Sequence, residues 1–589
     1  LKTKRNKNRE IFYNEKLKFI DVLISLPLIL ALGFIPLIVR LKVVEVDKEI
    51  GGMKVFYDFF SYGKVSFIFL SCIMAIILAF FLINKDFRID KSAKVFSLFS
   101  GVYLLVCLVS TIFSKNTDIA MFGFPCQQEG FFTIVSVFGI SVYGACFITT
   151  EYRRKIVFNS LYISSGIIFV IGILQYFGLD IIQSDFLKSL IVPQKFEQMF
   201  ESILYPNSSG NFRNSIYSTL YNSNVFGTYA AMILAFAFSE TLNKDRFKKM
   251  IPGIIIMFLA TFALVGCYSR GAYVGALFAM LVVIVFSLKR MKSNFRKTIT
   301  CSSVVLLSIL IVFIINGGRV LDRLATIDVN TQDTLTSVNN RIRDFKINQS
   351  TLTIYFSKNY LEIEKKGENL EFRNDLGKVI TLDYYEKDEG YKLNADKYRD
   401  FLVYANKERL FIKVQNSLLN FVMKNNTFLL ADESGNIANI SNPKTLLFSG
   451  MERYGSGRGY IWSRALPMVK NTIFFGYGPD NFYYCFPQQD YMGKLKFMYS
   501  AYIRMDMAHC MYLQSALETG VISMIILIAF LVWMFVSVIR KNGAHMAAYL
   551  GVIAAYAVCG IFTDANVCTM IVFWPLIAVC FGMTDISQE

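Results

Sequence analysis

"DMAHCMYLQSALETGVISMIILIAFLVWMFVSVI", residues 506–539, joins two kinds of sequence end to end. Residues 519–539 carry no charge, and about 20 such residues in a helix rising ~1.5 Å each cross the ~30 Å hydrocarbon core of a bilayer. Residues 506–518 instead gather Asp506, His509, Gln514 and Glu518. The 589-residue chain has only two histidines, so the one at the mouth of this apolar run asks for a reason.

Outward from this stretch the same pattern recurs. Further apolar runs lie at 19–39, 65–83, 95–113, 131–149, 156–178, 225–242, 251–269, 272–288, 300–316, 544–563 and 567–583. Each is near the ~20 residues a span needs. Hydrophobic residues make up 54% of the chain and charged ones only 18%, with a mean hydropathy of +0.44, which excludes an ordinary soluble protein. The sequence therefore predicts an all-α polytopic membrane protein of about twelve transmembrane helices. The first run follows "LKTKRNKNRE" but is longer than a signal-peptide core and has no small-residue cleavage site before "RLK", so it is read as a retained helix.

The net charge of +17 raises nucleic acid as a partner, and the placement of the charge answers it. Basic residues concentrate in the N-terminal tail and in "NKDFRIDKSAK", "TEYRRK", "NKDRFKKM", "KRMKSNFRK" and "RKNG", which are every second connection. By the positive-inside rule these face the cytoplasm, as do both termini, in a multi-pass protein of the cytoplasmic membrane. The charge thus reports topology and predicts no nucleic-acid partner. Of the 11 cysteines most lie inside apolar runs and none shows metal spacing, so neither a disulfide framework nor a metal site is expected.

Three regions follow: 1–316 with nine apolar runs, 317–518 as a large extracytoplasmic region, and 519–589 with three runs. Within the middle region, 341–445 switches to a period of two, as in "TLTIYFSKNYLEI", where Leu352, Ile354 and Phe356 alternate with polar neighbours. This predicts a β-rich insert, and its mixed charges without a histidine suit packing or partner docking better than catalysis. Residues 449–488, "SGMERYGSGRGYIWSRALPMVKNTIFFGYGPDNFYYCFPQ", are dense in Gly, Arg and aromatics and read as a lining. The other outward connections are "MFGFPCQQEG" at 121–130, "GNFRNSIYSTLYNSN" at 210–224, "SRG" at 269–271 and "TDAN" at 563–566.

In this order and topology, "YNSNVFGTYAAMILAF" (221–236), "CYSRGAYVGALF" (267–278), "GRGYIWSRALPMVKNTIFFGYGPDNF" (457–482) and "AHCMYLQSALETGV" (508–521) resemble the O-antigen ligase and Wzy-type polymerase superfamily of membrane glycan transferases. "GILQYFGLD" at 172–180 and "FGFPCQQEG" at 122–130 extend the likeness. The chain departs from it at Cys510, where family members commonly carry Asn, and at Gln128, where they often carry Arg. The resemblance implies a GT-C-like helical fold and inverting transfer of a glycan from a polyprenyl-diphosphate donor to a glycan, lipid or protein acceptor among membrane lipids. It implies no metal and no nucleotide cofactor. By this resemblance His509, Arg270 and Arg458 are catalytic, and Arg213, Arg464, Asn222, Asn224 and Glu129 bind substrate.

Elementary chemistry bears on each residue. A departing diphosphate needs fixed positive charge, and the planar fork of arginine holds phosphate oxygens bidentately. Arg270 ends an apolar run, where it either binds diphosphate or snorkels to the interface. Arg458 lies between glycines that allow close backbone approach, with a loop ion pair to Asp480 as the plainer alternative. Arg464 follows Trp462 closely enough that stacking or a structural ion pair explains it as well. Asp506, three residues before His509, is expected to N-cap a helix whose first turn holds the imidazole and keeps it neutral as a base. His545 falls on the opposite side and is expected to be structural. A Wzy-type polymerase would use the same donor chemistry. A flippase would be expected to show paired half-repeats or ionisable residues at the midplane, and a scaffold built on the β-rich insert would need neither Arg270 nor His509.

Overall fold

The computed structural model describes residues 18–583 apart from 51, 84–88, 200–215, 326–341, 357–358, 386–389, 399, 415–416, 542 and 544. Among the described residues nine helices are long and apolar enough to cross a membrane. They are α1 (Lys18–Leu37), α2 (Tyr62–Leu82), α3 (Lys91–Ile112), α5 (Glu151–Tyr176), α6 (Ser223–Leu242), α7 (Phe247–Gly266), α8 (Arg270–Ser293), α9 (Phe295–Leu321) and α13 (Val521–Arg540). The chain is a multi-pass membrane protein. The runs expected at 131–149, 544–563 and 567–583 are helical as well, as α4 (Phe131–Phe147), α14 (Met546–Cys559) and α15 (Val567–Phe581), but have only 17, 14 and 15 residues. At ~1.5 Å per residue they reach about 21–26 Å, short of the ~30 Å core. Three shorter helices complete the set used below: α10 (Arg458–Ala465), α11 (Tyr491–Met498) and α12 (Met511–Glu518).

Polar caps fix where the helices start. Asn222 accepts from the N–H groups of Asn224 and Val225 ahead of α6, Ser269 from Ala272 ahead of α8, and Asn566 from Cys568 ahead of α15. These three caps meet at one end of the bundle. The centre of the bundle is α6, buried along its whole apolar window. Small residues let its neighbours close around it: a Cβ added at Gly275 of α8 would lie 2.2 Å from the Cys559 sulfur of α14.

The two ends differ in chemistry. At one, basic residues tie loops to the bundle: Arg153 donates to Asp21 (2.6 Å), Lys297 to the Lys244 carbonyl (2.7 Å) and Lys541 to the Met583 carbonyl (2.8 Å). At the other stand a hairpin, β1 (Lys42–Ile50) with β2 (Met53–Asp58), and a β-sandwich. The sandwich has a five-stranded antiparallel meander, β3 (Asp344–Asn348) to β7 (Val379–Ile380), and a six-stranded one, β8 (Leu382–Tyr385) to β13 (Thr427–Leu430). The expected period of two is visible in β4 (Thr351–Tyr355), where Leu352 and Ile354 point inward opposite Ile363 and Leu361. Both sheets share one apolar core, with Phe345 edge-on to Phe421 at 5.3 Å. Tyr491 and Leu495 of α11 enter that same core, which attaches the sandwich to the segments that carry the site.

Candidate functional site

The backbone around His509 is held before its side chain is. Ala508 donates its N–H to the Gln514 amide oxygen (3.2 Å), and its carbonyl accepts from the Trp462 indole (2.9 Å). Between this clamp and α12, His509 has φ 52°, in the left-handed region that non-glycine residues rarely adopt. Such strain persists only where surrounding contacts over-determine it. The expected cap is absent: Cys510 occupies the N-cap position, α12 begins at Met511, and His509 stands just outside the helix. Asp506 sits deeper, its backbone carbonyl held by Gln127 (3.4 Å). The helix dipole therefore does not set the imidazole's state in the way the spacing suggested.

A different acid meets the ring. His509 Nδ1 lies 3.0 Å from Asp564 Oδ2, in the "TDAN" loop between α14 and α15. With Nδ1 turned to a carboxylate only 5% exposed, Nε2 is the ring nitrogen left for another partner, on an imidazole side chain that is 43% exposed. The loop is fixed from below, because the Met511 N–H reaches the carbonyls of Gly560 (2.8 Å) and Thr563 (3.0 Å). Asp564 Oδ1 is buried without a hydrogen-bond partner among the described residues.

One arginine lies in the field of Asp564, and the turn that carries a second packs against its loop. Arg458 is the first residue of α10, after Gly457 in the left-handed conformation. Its Nη1 donates to the Gly455 carbonyl (2.9 Å), while its buried Nε has no hydrogen-bond partner among the described residues. Burial pulls the guanidinium below its ordinary range, opposed by Asp564 and Cys510, so Arg458 lies within the field of the His509–Asp564 pair. It does not pair with Asp480. Arg270 is the half-buried first residue of α8. Next to it, a Cβ on Gly271 would sit 2.7 Å from Phe562 Cβ, so only glycine lets this turn press against the Asp564 loop. Both arginines stand at the positive end of a helix, a position that costs a cation about 0.3–1 kcal/mol, so helix stability does not account for them.

The remaining expected residues divide. Arg464 is buried and engaged, 3.1 Å from Asp490, 3.6 Å from Glu452 and stacked 4.4 Å over Tyr460; it braces the 449–498 segment. Asn222 spends its side-chain oxygen on the α6 cap, and Asn224 accepts from the Ser269 hydroxyl (2.8 Å), tying α6 to the Arg270 turn. Glu129 is buried and accepts the Val567 N–H (3.2 Å). Arg213 lies outside the described residues.

Two features had no sequence signal. Arg504 lies 5.2 Å over the Phe56 ring with Nη1 buried and unpartnered by hydrogen bond among the described residues. Burial raises the Asp506 carboxyl, with His509 and then Arg504 opposing, which places all three together. Beneath the Asp564 loop a cavity of about 60 Å³ is lined by Glu129, Gln514, Glu518, Tyr103, Tyr556 and Trp574 among others.

The comparisons with known proteins leave the site to its own chemistry. No protein-family model matches the chain, and no curated protein matches it. The arrangement itself offers a part-exposed imidazole oriented by a buried carboxylate, with Arg458 in that carboxylate's field, at the end of the bundle opposite the basic loops.

Proposed function

We propose that the protein is an O-antigen ligase-like glycosyltransferase, with about twelve spans in a GT-C-like fold, its basic end and termini in the cytoplasm and its site on the outer face. The observation that carries this is the His509–Asp564 pair at 3.0 Å with Arg458 in its field and the Arg270 turn against its loop. In the proposed step an acceptor hydroxyl attacks the anomeric carbon of a polyprenyl-diphosphate-linked glycan. The new C–O bond forms as the bond to the diphosphate breaks, His509 Nε2 takes the hydroxyl proton, and the diphosphate leaves with the electron pair, its charge met by Arg270 and Arg458. Attack from the face opposite the leaving group inverts the anomeric centre, and the step uses no metal or nucleotide. Glu129, Asn222 and Asn224 then act by shaping the site around the substrates.

The test uses membranes holding the full-length protein, a lipid-diphosphate-linked glycan and surface glycan isolated from cells with and without the protein. Transfer that depends on the protein, with the acceptor identified by what the glycan is joined to, is the expected result. Unchanged glycan in the cells lacking it, with no transfer in the membranes, overturns the proposal. Cysteine-accessibility labelling checks the sidedness: residues 344–430 are expected to label in intact cells and residues 243–250 only after lysis.

A further inference from the structure

The His509–Asp564 pair rests on a second layer of carboxyl groups. Glu518, at the end of α12, accepts from the Gln514 amide (3.1 Å), and the oxygen of that same amide holds the N–H of Ala508, the residue before His509. Glu129, on the other side, accepts the N–H of Val567, three residues after Asp564. The Asp564 loop is thus one hydrogen bond from Glu129 and the residue before His509 two hydrogen bonds from Glu518, and both glutamates line the same cavity. Asp480 joins them through the backbone: its Oδ2 accepts from the N–H groups of Phe124 (2.5 Å) and Glu129 (2.9 Å), while its Oδ1 is buried with no hydrogen-bond partner among the described residues.

Three buried acids in one another's field, one with an orphaned oxygen, need something positive between them. Among the described residues no three His, Cys, Asp or Glu side chains are placed to hold a metal ion. A proton held within the layer relieves the repulsion among these acids by neutralising one carboxyl, which then has a hydrogen to donate. We propose that Glu129 and Glu518, with Asp480, form a proton-sharing latch that positions the His509–Asp564 pair through Val567 and Gln514 and loosens its hold when the shared proton is lost. Burial, with the mutual repulsion of the acids, pushes Glu129 and Glu518 well above the usual carboxylate range, and burial pushes Asp480 up to about 7. The charged and titratable groups facing the layer are Asp564, Tyr221, Tyr556 and Cys568 near Glu129, Asp564, Cys107 and Cys485 near Glu518, and Asp506 near Asp480; those facing His509 are Asp564 and Asp506, with Arg458 near Asp564 and Arg504 near Asp506. Glu129 and Glu518 are positioning residues, and their role does not depend on glycan transfer.

The chain's two histidines make this measurable without an activity assay. Full-length protein with ¹⁵N-labelled histidine, in lipid nanodiscs, gives two imidazoles, and His545 at the far end serves as the internal control. In the parent, the His509 signals are expected to show, beside the imidazole's own titration, a second inflection that reports the acid layer and that the His545 signals lack. Glu129→Gln with Glu518→Gln is expected to reduce His509 to a single step and leave His545 unchanged. The single variant Glu518→Gln, which keeps a hydrogen-bonding amide of the same size, is expected to give a partial effect and serves if the double variant does not fold. Identical His509 curves in parent and folded variants, or equal changes at both histidines, overturn the latch.

Discussion

The two ends of the bundle repeat one pair of side chains in different company. His509 meets Asp564 at 3.0 Å and His545 meets Glu240 at 2.6 Å; each imidazole side chain is 43% exposed and each carboxylate 5%. Judged as pairs they are the same object. Around His545 the backbone is relaxed, φ −85° at the start of α14, and Lys244, just past the end of α6, lies 4.0 Å from Glu240. Around His509 the backbone is left-handed, Arg458 and Arg504 have buried nitrogens without hydrogen-bond partners among the described residues, and an oxygen of the partner acid is orphaned as well. A histidine–carboxylate contact is therefore a common structural device. Left-handed backbone and buried guanidinium nitrogens left unpaired separate the His509 end from the His545 end, where the orphaned atoms beside Glu240 are the neutral hydroxyls of Ser239 and Thr241.

The largest expected effect follows directly. His509→Ala should lower glycan transfer by about 10² to 10⁴-fold, the usual contribution of a general base. The strain gives this test a second edge. His509→Gly should lose the same activity yet unfold at a higher temperature than His509→Ala, because glycine adopts φ 52° freely while any other side chain costs about 1–2 kcal/mol there. Full activity in either variant would make the His509 end equivalent to the His545 end.

Arginine comes next. Arg270→Lys keeps the charge and loses the planar fork, so a drop of about 10²-fold in transfer is expected if two oxygens of a diphosphate are gripped there. Near-normal turnover would leave Arg270 as an interfacial charge. Gly271 beside it must stay untouched in such work, since even a methyl group there collides with Phe562.

Much of the architecture follows from what is local in the chain. Apolar runs long enough to span and the alternation of Leu352 and Ile354 are read from neighbours within a few residues. The His509 environment is not. Asp564 stands 55 positions away, and sequence alone marks "TDAN" only as an outward connection. The spacing from Asp506 to His509 invites a capping assignment, but the Ala508 clamp by Trp462 and Gln514 holds the backbone out of the helix. Arg464 and Arg458 look alike in sequence, yet only Arg464 finds Asp490 and Glu452 within reach. Short-range pattern gives elements; pairing across loops gives the site.

A smaller effect, on stability alone, belongs to Asp480. Its folded-state pKa of about 7 lies above the ordinary ~3.9 of an unfolded aspartate. The folded protein therefore binds the extra proton between those values. Stability from this group is fully present below about pH 4, declines as pH rises toward 7, and is level above. Asp480→Asn should flatten that decline in a thermal-unfolding series at pH 4 to 8. A slope unchanged by the substitution would mean that other acids of the layer hold the proton.

The smallest expected effect on activity is at His545, and it completes the comparison. His545→Ala removes a hydrogen bond to Glu240, a buried acid with Lys244 as a cationic neighbour at 4.0 Å. Arg290 also lies in the Glu240 field, so the loss is that of the hydrogen bond itself, about 1 kcal/mol of stability, visible as a lower unfolding temperature. Transfer per folded molecule should stay at the parent's level, because α6 and α14 carry the pair at the end of the bundle away from Asp564, Arg458 and Arg270. His509→Gly and His545→Ala then form opposite cases, one losing activity with its backbone strain relieved, the other losing stability with its activity kept. Should His545→Ala lose transfer in proportion to His509→Ala at matched folded protein, the two ends would be coupled through α6, and a site confined to one face would no longer describe the molecule.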